Sequence, residues 1–229
     1  MSYITENYQF IADEVKSLSD NKTFLLPVSK TFPASDIKIL YDYGVREFAE
    51  NRLQELEPKS KELPPDIKWH FIGHLQSNKV RKVVPLASVI HSVDSASLLD
   101  KIDRAATDFE RQIDCFLEFK PAGEDSKTGA DMSSADEIFE RARQCGKFCN
   151  VCGIMGMAPL GGTAEENRAA FRKLRELRNY AQEKFGLVLP QLSMGMSGDY
   201  HEAIAEESTI VRIGSAIFGK RNGCVIKDD

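Results

Sequence analysis

No run of apolar residues in this 229-residue chain is long enough to cross a bilayer, and no segment gathers lysine and arginine into a block. The first absence argues against a membrane protein. The second, with a net charge of −5, argues against a nucleic-acid partner held mainly through phosphate contacts. Met1 to Ser19 mixes Glu, Asp and Lys with apolar side chains and has no signal-peptide hydrophobic core, which points to the cytoplasm. Cysteine is sparse and odd in number: Cys115, Cys145, Cys149, Cys152 and Cys224. In a reducing compartment this is not a disulfide framework. The lone pair Cys149-x-x-Cys152 lacks the two further ligands that a structural zinc site needs, so the thiols read as buried or partly buried free groups. No Ser-His-Asp order, phosphate-binding P-loop or zinc-ligand cluster stands out. Nothing divides the chain, so one domain over residues 1–229 is expected.

What is present is a steady alternation of strand-like and helix-like segments, in a composition 42% hydrophobic and 28% charged that can build a sizeable core. An amphipathic leading helix covers Ile4 to Leu18. Strands are expected at Thr23–Ser29, Val45–Phe48, Lys68–Ile72, Ser88–Val93, Ile113–Phe119, Asn150–Met155, Leu187–Ser193 and Ser208–Ile213. Helices are expected between them at Ser35–Tyr43, Arg52–Leu63, Ser77–Val84, Ala96–Phe109, Ser134–Gln144, Ala164–Phe185 and Tyr200–Glu207. Ser35 or Asp36 is the expected cap of the first of these, and Gly44, Gly146 and Gly186 are the expected stops. Pro27 is awkward inside a strand. Eight strands separated by helices is the pattern of a (β/α)₈ TIM barrel, an α/β fold, with a doubly wound sheet as the alternative.

A barrel puts its chemistry just past the strands' C-terminal ends. Lys30 follows the first strand, with its stem among barrel side chains and its amine in the mouth. Desolvation there favours the neutral amine, a nucleophile toward an aldehyde; the competing reading is a solvated lysine opening a loop. Glu50 and Asn51 follow strand two, and Asp94 follows strand four. Leu192-Ser-Met-Gly-Met-Ser-Gly-Asp199 and Arg212-Ile-Gly-Ser215 crowd small residues at the ends of strands seven and eight, where such barrels bind phosphate. Ordinary capping by Ser and Asp would give a similar pattern. In Phe71-Ile-Gly-His-Leu-Gln-Ser-Asn-Lys79, His74 is a possible acid or base, but His74, Gln76 and Asn78 are better read as caps of the next helix. His70 and His91 sit inside strands and are assigned packing roles, and His201 a surface helix. The segment Gly123 to Gly129 reads as a charged rim loop.

Taken together, Val28-Ser-Lys-Thr31, Phe48-Ala-Glu-Asn51, His70 to Lys79, Leu192-Ser-Met-Gly-Met-Ser197 and Arg212-Ile-Gly-Ser-Ala-Ile-Phe-Gly219 run in order across nearly the whole chain and resemble the pyridoxal phosphate homeostasis proteins. The resemblance implies a single barrel of fold type III, similar to the N-terminal domain of alanine racemase, with pyridoxal 5′-phosphate (PLP) as cofactor. It implies that Lys30 carries PLP as a Schiff base and that Ser197, Gly214 and Ser215 bind its phosphate. It further implies that Arg212 faces the pyridine nitrogen and that Asn51 lies beside the cofactor. Such proteins buffer or deliver PLP and have no firmly assigned reaction. The expected role is therefore a monomeric PLP carrier in cofactor homeostasis, not an enzyme, with PLP-dependent apoenzymes as candidate partners. An amino-acid racemase or decarboxylase on the same cofactor is the alternative, and a lysine aldolase acting on a sugar phosphate is a third reading. Two departures from the family pattern, Phe32 after Thr31 and the acidic loop from Gly123 to Asp131, lie outside the implied cofactor shell.

Overall fold

The structure is a computed structural model that describes residues 2–121 and 128–219. Its order is α1 (Tyr3–Ser19), β1 (Phe24–Pro27), α2 (Ala34–Tyr43), β2 (Glu47–Glu50), α3 (Leu53–Glu62), β3 (Lys68–Phe71), α4 (Val80–Val83) and β4 (Val89–Val93). It continues with α5 (Ala96–Asp108), β5 (Ile113–Phe119), α6 (Ala135–Ala142), β6 (Cys149–Gly156), α7 (Ala164–Phe185), β7 (Gln191–Ser193), α8 (Tyr200–Ala205), β8 (Ile210–Ile213) and α9 (Ser215–Phe218). The eight strands pair in parallel in the order β1-β8-β7-β6-β5-β4-β3-β2. One bridge between Val28 and Ala49, with the Ser29 N–H donating to the Ala49 carbonyl at 3.0 Å, brings β1 against β2 and closes the ring. The Phe24 and Val28 N–H groups donate toward β8 and that of Ser29 toward β2, so alternation puts Pro27's missing N–H on the β2 side. That is the seam where pairing is reduced to a single bridge. Pro27 is thus tolerated inside β1.

Alternation along the strands sorts the apolar residues into two cores. Leu26, Val28, Ala49, Val89, Phe116, Met155 and Ile210 fill the barrel interior. Leu25, Phe48, Trp69, Ile90, Leu117, Leu192 and Val211 face outward and are covered by the helices. The helix ends follow local chemistry. Gly44 and Gly186 stop α2 and α7 in left-handed conformation, and Thr163 forms a capping box with Glu166. Other expected boundaries move. The residue before α2 is Pro33, and neither Ser35 nor Asp36 caps it. Helix α6 ends at Ala142, well before Gly146. The segment 77–83 is a 3₁₀ turn running into one turn of α4, and no side-chain cap bond is made at either start.

Helix α1 lies outside the ring and fastens the chain's later elements. Tyr3 Oη donates to the Phe218 carbonyl at 3.2 Å, and Asn7 Nδ2 donates to the Ile217 carbonyl at 3.1 Å. Tyr200 Oη donates to Glu14 at 2.6 Å. These bonds hold α8 and α9, which follow the phosphate-type segments. Among the described residues, no helix is long and apolar enough to cross a membrane.

Candidate functional site

Because all eight strands are parallel, their C-terminal ends share one rim. On β1 the inward parity of Leu26 and Val28 continues to Lys30, and on β8 that of Ile210 continues to Arg212. A cavity of about 220 Å³ opens there, lined by Lys30, Arg212, Ser197, Gly214 and Ser215 together with Val28, Phe32, Ile72, Met196 and Gly198. The two serine hydroxyls lie 3.4 Å apart. Gly195 begins the β7–α8 turn at φ 94°, where an added Cβ would come within 2.6 Å of the Ala203 Cβ, so only glycine fits. The Asp199 carboxylate then accepts the Met196 N–H at 2.6 Å and tightens the turn.

Arg212 is almost fully buried. Its Nη1 donates to the Ser193 carbonyl at 2.5 Å and to Ser193 Oγ at 2.7 Å, and its Nη2 donates to the Gly156 carbonyl at 3.2 Å. Burial pushes its pKa down to about 10, so it stays a cation at neutral pH. Behind it runs a line of hydrogen bonds through the barrel: Ser193 Oγ to His91 Nδ1 at 2.9 Å, His91 Nε2 to His70 Nδ1 at 2.9 Å, and His70 Nε2 to Glu47 at 2.9 Å. Arg212 only donates, so the Ser193 hydroxyl accepts from it and turns its proton to His91. Each histidine then carries its proton on Nε2 and donates toward the Glu47 carboxylate. Burial, helped by His70 and Arg212, pushes the His91 pKa well below its ordinary value and keeps that ring neutral, as this line requires. The bond from His70 draws the Glu47 pKa down.

Elsewhere on the rim, His74 Nδ1 lies 3.4 Å from the Asp94 carboxylate. Glu118 is buried beneath Thr128, whose hydroxyl donates to it at 2.8 Å, and burial raises its pKa.

The sequence pattern of the alanine racemase N-terminal domain matches residues 2–222. A pyridoxal phosphate homeostasis protein of Aquifex aeolicus is 40% identical over 205 residues, 88% of this chain and 89% of its own length. PipY of Synechococcus elongatus, solved without PLP, superposes with a TM-score of 0.88 at 37% identity over 94% of this chain and 100% of its own. The chain belongs to the pyridoxal phosphate homeostasis family, within the alanine racemase N-terminal domain type. PipY has also been solved with PLP bound, at TM-score 0.85 and 36% identity over the same shares of both chains. An alanine racemase of Clostridium difficile, 14% identical, shares the barrel alone, with a TM-score of 0.74 over 98% of this chain and 59% of its own.

Five of the six residues singled out in the sequence of this family member meet in the cavity: Lys30, Ser197, Arg212, Gly214 and Ser215. Asn51 does not line it. It sits at the end of β2, where its backbone carbonyl would lie 2.0 Å from a Cβ on Gly73, and its Oδ1 is buried with no hydrogen-bond partner among the described residues. Two expectations need correction. Phe32, placed outside the shell, lines the cavity and stacks on Phe218 with ring centroids 5.0 Å apart. His74 pairs with Asp94 rather than capping α4, because the chain there forms a 3₁₀ turn. His70 and His91 are buried inside their strands as expected, and their packing is polar: they form a hydrogen-bonded line. The two histidines and Arg212 all stand at inward-facing strand positions, a signal legible only once the closed ring brings β4 and β7 face to face across its interior. The four described cysteines are free, with Cys115 and Cys149 buried and Cys145 and Cys152 partly so, while Cys224 lies outside the described residues. Residues 123–127 of the rim loop also lie outside the described residues; beyond them Ala130 bridges to Phe119.

Proposed function

We propose that the protein binds PLP in the mouth of the barrel, held as a Schiff base on Lys30, and serves cytoplasmic cofactor homeostasis as a carrier without strong catalytic activity. The observation that carries this reading is the meeting of Lys30, Arg212, Ser197, Gly214 and Ser215, from the ends of β1, β7 and β8, around one cavity. The donor set fits the group: an amine for an aldehyde, two hydroxyls among small residues for a phosphate, and a guanidinium for a ring nitrogen. PipY solved with PLP bound supports it, as does the name of the Aquifex relative. When bound, the cofactor supplies a reversible covalent link to amines and a ring that withdraws electrons.

Within this reading the chain's residues divide the work. Ser197 and Ser215 donate their hydroxyls to the phosphate, and the small Gly214 between them and β1 leaves room for it. After its bonds to Ser193 and Gly156, Arg212 retains its Nε–H and one Nη2–H. Directed at the ring nitrogen, a group that only donates keeps that nitrogen unprotonated and the electron sink weak. A place beside the cofactor for Asn51 rests on the family resemblance, since its side chain does not line the cavity. The protein acts as a monomer, and apoenzymes that take up PLP are its partners. One observation favours the alternative of an amino-acid racemase or decarboxylase: the His74–Asp94 pair on the rim could move a proton.

The test is the absorption spectrum of purified protein before and after borohydride, followed by peptide mapping, with Lys30→Ala as control. The pyridoxyl group should map to Lys30. Mapping to Lys79 or Lys120 instead, or a colourless protein inactivated only with a sugar phosphate present, would overturn the reading.

A further inference from the structure

Immediately after Lys30 the backbone enters a conformation that its residue disfavours. Thr31 has φ 70°, and a β-branched side chain rarely adopts the left-handed region. Such a residue persists only where its surroundings hold it there. The Thr31 N–H donates to Glu55 Oε2 at 2.6 Å. The same carboxylate oxygen accepts from Lys59 Nζ at 3.0 Å. Lys59 Nζ also donates to the Ser29 carbonyl at 3.0 Å and to Glu50 Oε1 at 2.7 Å, which uses all three of its protons. Ser29 Oγ donates to Glu50 Oε1 at 2.7 Å. One ammonium and two carboxylates from β2 and α3 therefore grip both backbone neighbours of Lys30.

Where this cluster sits decides what it can do. Phe48 belongs to the outer core and Ala49 to the barrel interior, so Glu50 points outward, between β2 and α3. Glu50 and Lys59 are both buried, and none of the three charged residues lines the cavity. Buried ion pairs add little net stability, because removing charges from water offsets their attraction. A buried charged cluster in the wall is therefore a poor device for stability alone. It is well suited to fixing the direction of a short stretch of chain.

We propose that Lys59, with Glu50 and Glu55, is a positioning unit for Lys30. It clamps Ser29 and Thr31 so that the Lys30 amine is aimed into the cavity. The proposal rests on the reading of Lys30 as the residue that takes PLP. It separates two properties of the site that otherwise travel together, since phosphate binding by Ser197 and Ser215 does not need the clamp and covalent capture does.

The experiment compares two ligands in the full-length protein. PLP can condense with Lys30; pyridoxine 5′-phosphate carries an alcohol in place of the aldehyde and cannot. Glu55→Gln keeps the side chain's shape, and Lys59→Met keeps its length. In both, PLP affinity should fall by about tenfold or more, the size of one charge-assisted hydrogen bond. The growth of the Schiff-base absorbance should slow in step. Affinity for pyridoxine 5′-phosphate should stay within about twofold of wild type, and Lys59→Arg should recover part of the PLP affinity. Circular dichroism and the thermal midpoint check that each variant folds, with Glu55→Gln, the mildest change, carrying the test if Lys59→Met does not. Equal losses for both ligands would mean that the cluster is merely structural, and unchanged PLP capture would mean that Lys30 needs no clamp. Either result overturns the proposal while leaving Lys30 as the attachment site. A wild type never trapped at Lys30 would instead remove the underlying reading, and the clamp with it.

Discussion

Replacing Glu50 by Gln should remove a pH dependence of stability confined to the window between about pH 4.5 and 7. Burial raises the Glu50 pKa from its ordinary 4.5 to about 7, against the opposing pull of Lys59 and the Ser29 hydroxyl. In the unfolded chain this carboxyl titrates near 4.5. Between the two values the native state therefore holds a proton that the unfolded state has lost. Stability falls as pH rises through that interval and levels off above it; the contribution is fully present below the lower value and gone above the upper. At about 1.36 kcal/mol per pH unit, the gap between 4.5 and about 7 amounts to on the order of 3 kcal/mol. Urea unfolding of wild type and Glu50→Gln at about pH 5 and about pH 8 isolates it, because groups remote from Glu50 cancel in the difference between the two proteins. Wild type should gain about 2–3 kcal/mol on the variant at the lower pH. A wild-type-minus-variant difference constant to within about 0.5 kcal/mol would refute the reasoning and show Glu50 ionised throughout, stabilised by Lys59 beyond what its burial costs. The result also bears on the site, since Glu50 and Lys59 reach the backbone carbonyl and hydroxyl of Ser29, one residue from Lys30.

Ser197→Ala should weaken PLP retention by about 1.5–3 kcal/mol, the worth of a hydrogen bond to a charged group, and hardly change pyridoxal binding; equal losses for both ligands in equilibrium dialysis would sink the phosphate assignment. Gly73→Ala places a Cβ 2.0 Å from the Asn51 backbone carbonyl, so the β2 and β3 ends must part, and the urea midpoint should drop by the equivalent of about 3 kcal/mol or more. A variant as stable as wild type would show that this rim yields readily. Deuterium exchange at Cα of L- and D-alanine with the PLP-loaded protein should be far slower than ordinary turnover; exchange at about 1 s⁻¹ or faster would establish the racemase-type reading, with His74 and Asp94 the first residues to mutate. Burial pushes the Cys152 thiol up to about 12, and the contact with the Cys115 thiol, with burial behind it, raises Cys149, so both should label slowly with an aromatic disulfide reagent near neutral pH; labelling at the rate of a free thiol would contradict these surroundings.

The order and type of the elements were legible before any coordinates, because each segment carries its period locally. The long α7 reads from Thr163 to Gly186 on its cap, its apolar stripe and its stop. Residues past the strand ends were legible for the same reason: the apolar run that ends at Ser29 sets Lys30 at the barrel mouth without knowledge of any neighbour. Boundaries were less secure. The second strand, expected at Val45–Phe48, forms at Glu47–Glu50, since Arg46 hands its carbonyl to Lys68 and pairing with β3 starts there. The boundary moves by two residues, and Glu50, expected just past the strand, is its last residue.

What lay beyond the sequence is whatever depends on contact between distant segments. Lys59 meets the Ser29 carbonyl across 30 positions, and His91 meets Ser193 across 102. Phe32, which a linear reading sets aside, packs on Phe218 and becomes part of the cavity wall. Hydrophobic period and capping act within a few residues and are written into the chain. A buried histidine's partner or a lysine's clamp is instead selected by which strands the closed ring sets side by side or facing across its interior. Only the closed barrel sets Glu47, His70, His91, Ser193 and Arg212 in one hydrogen-bonded line, with Arg212 opening at its far end into the cavity that Lys30 shares.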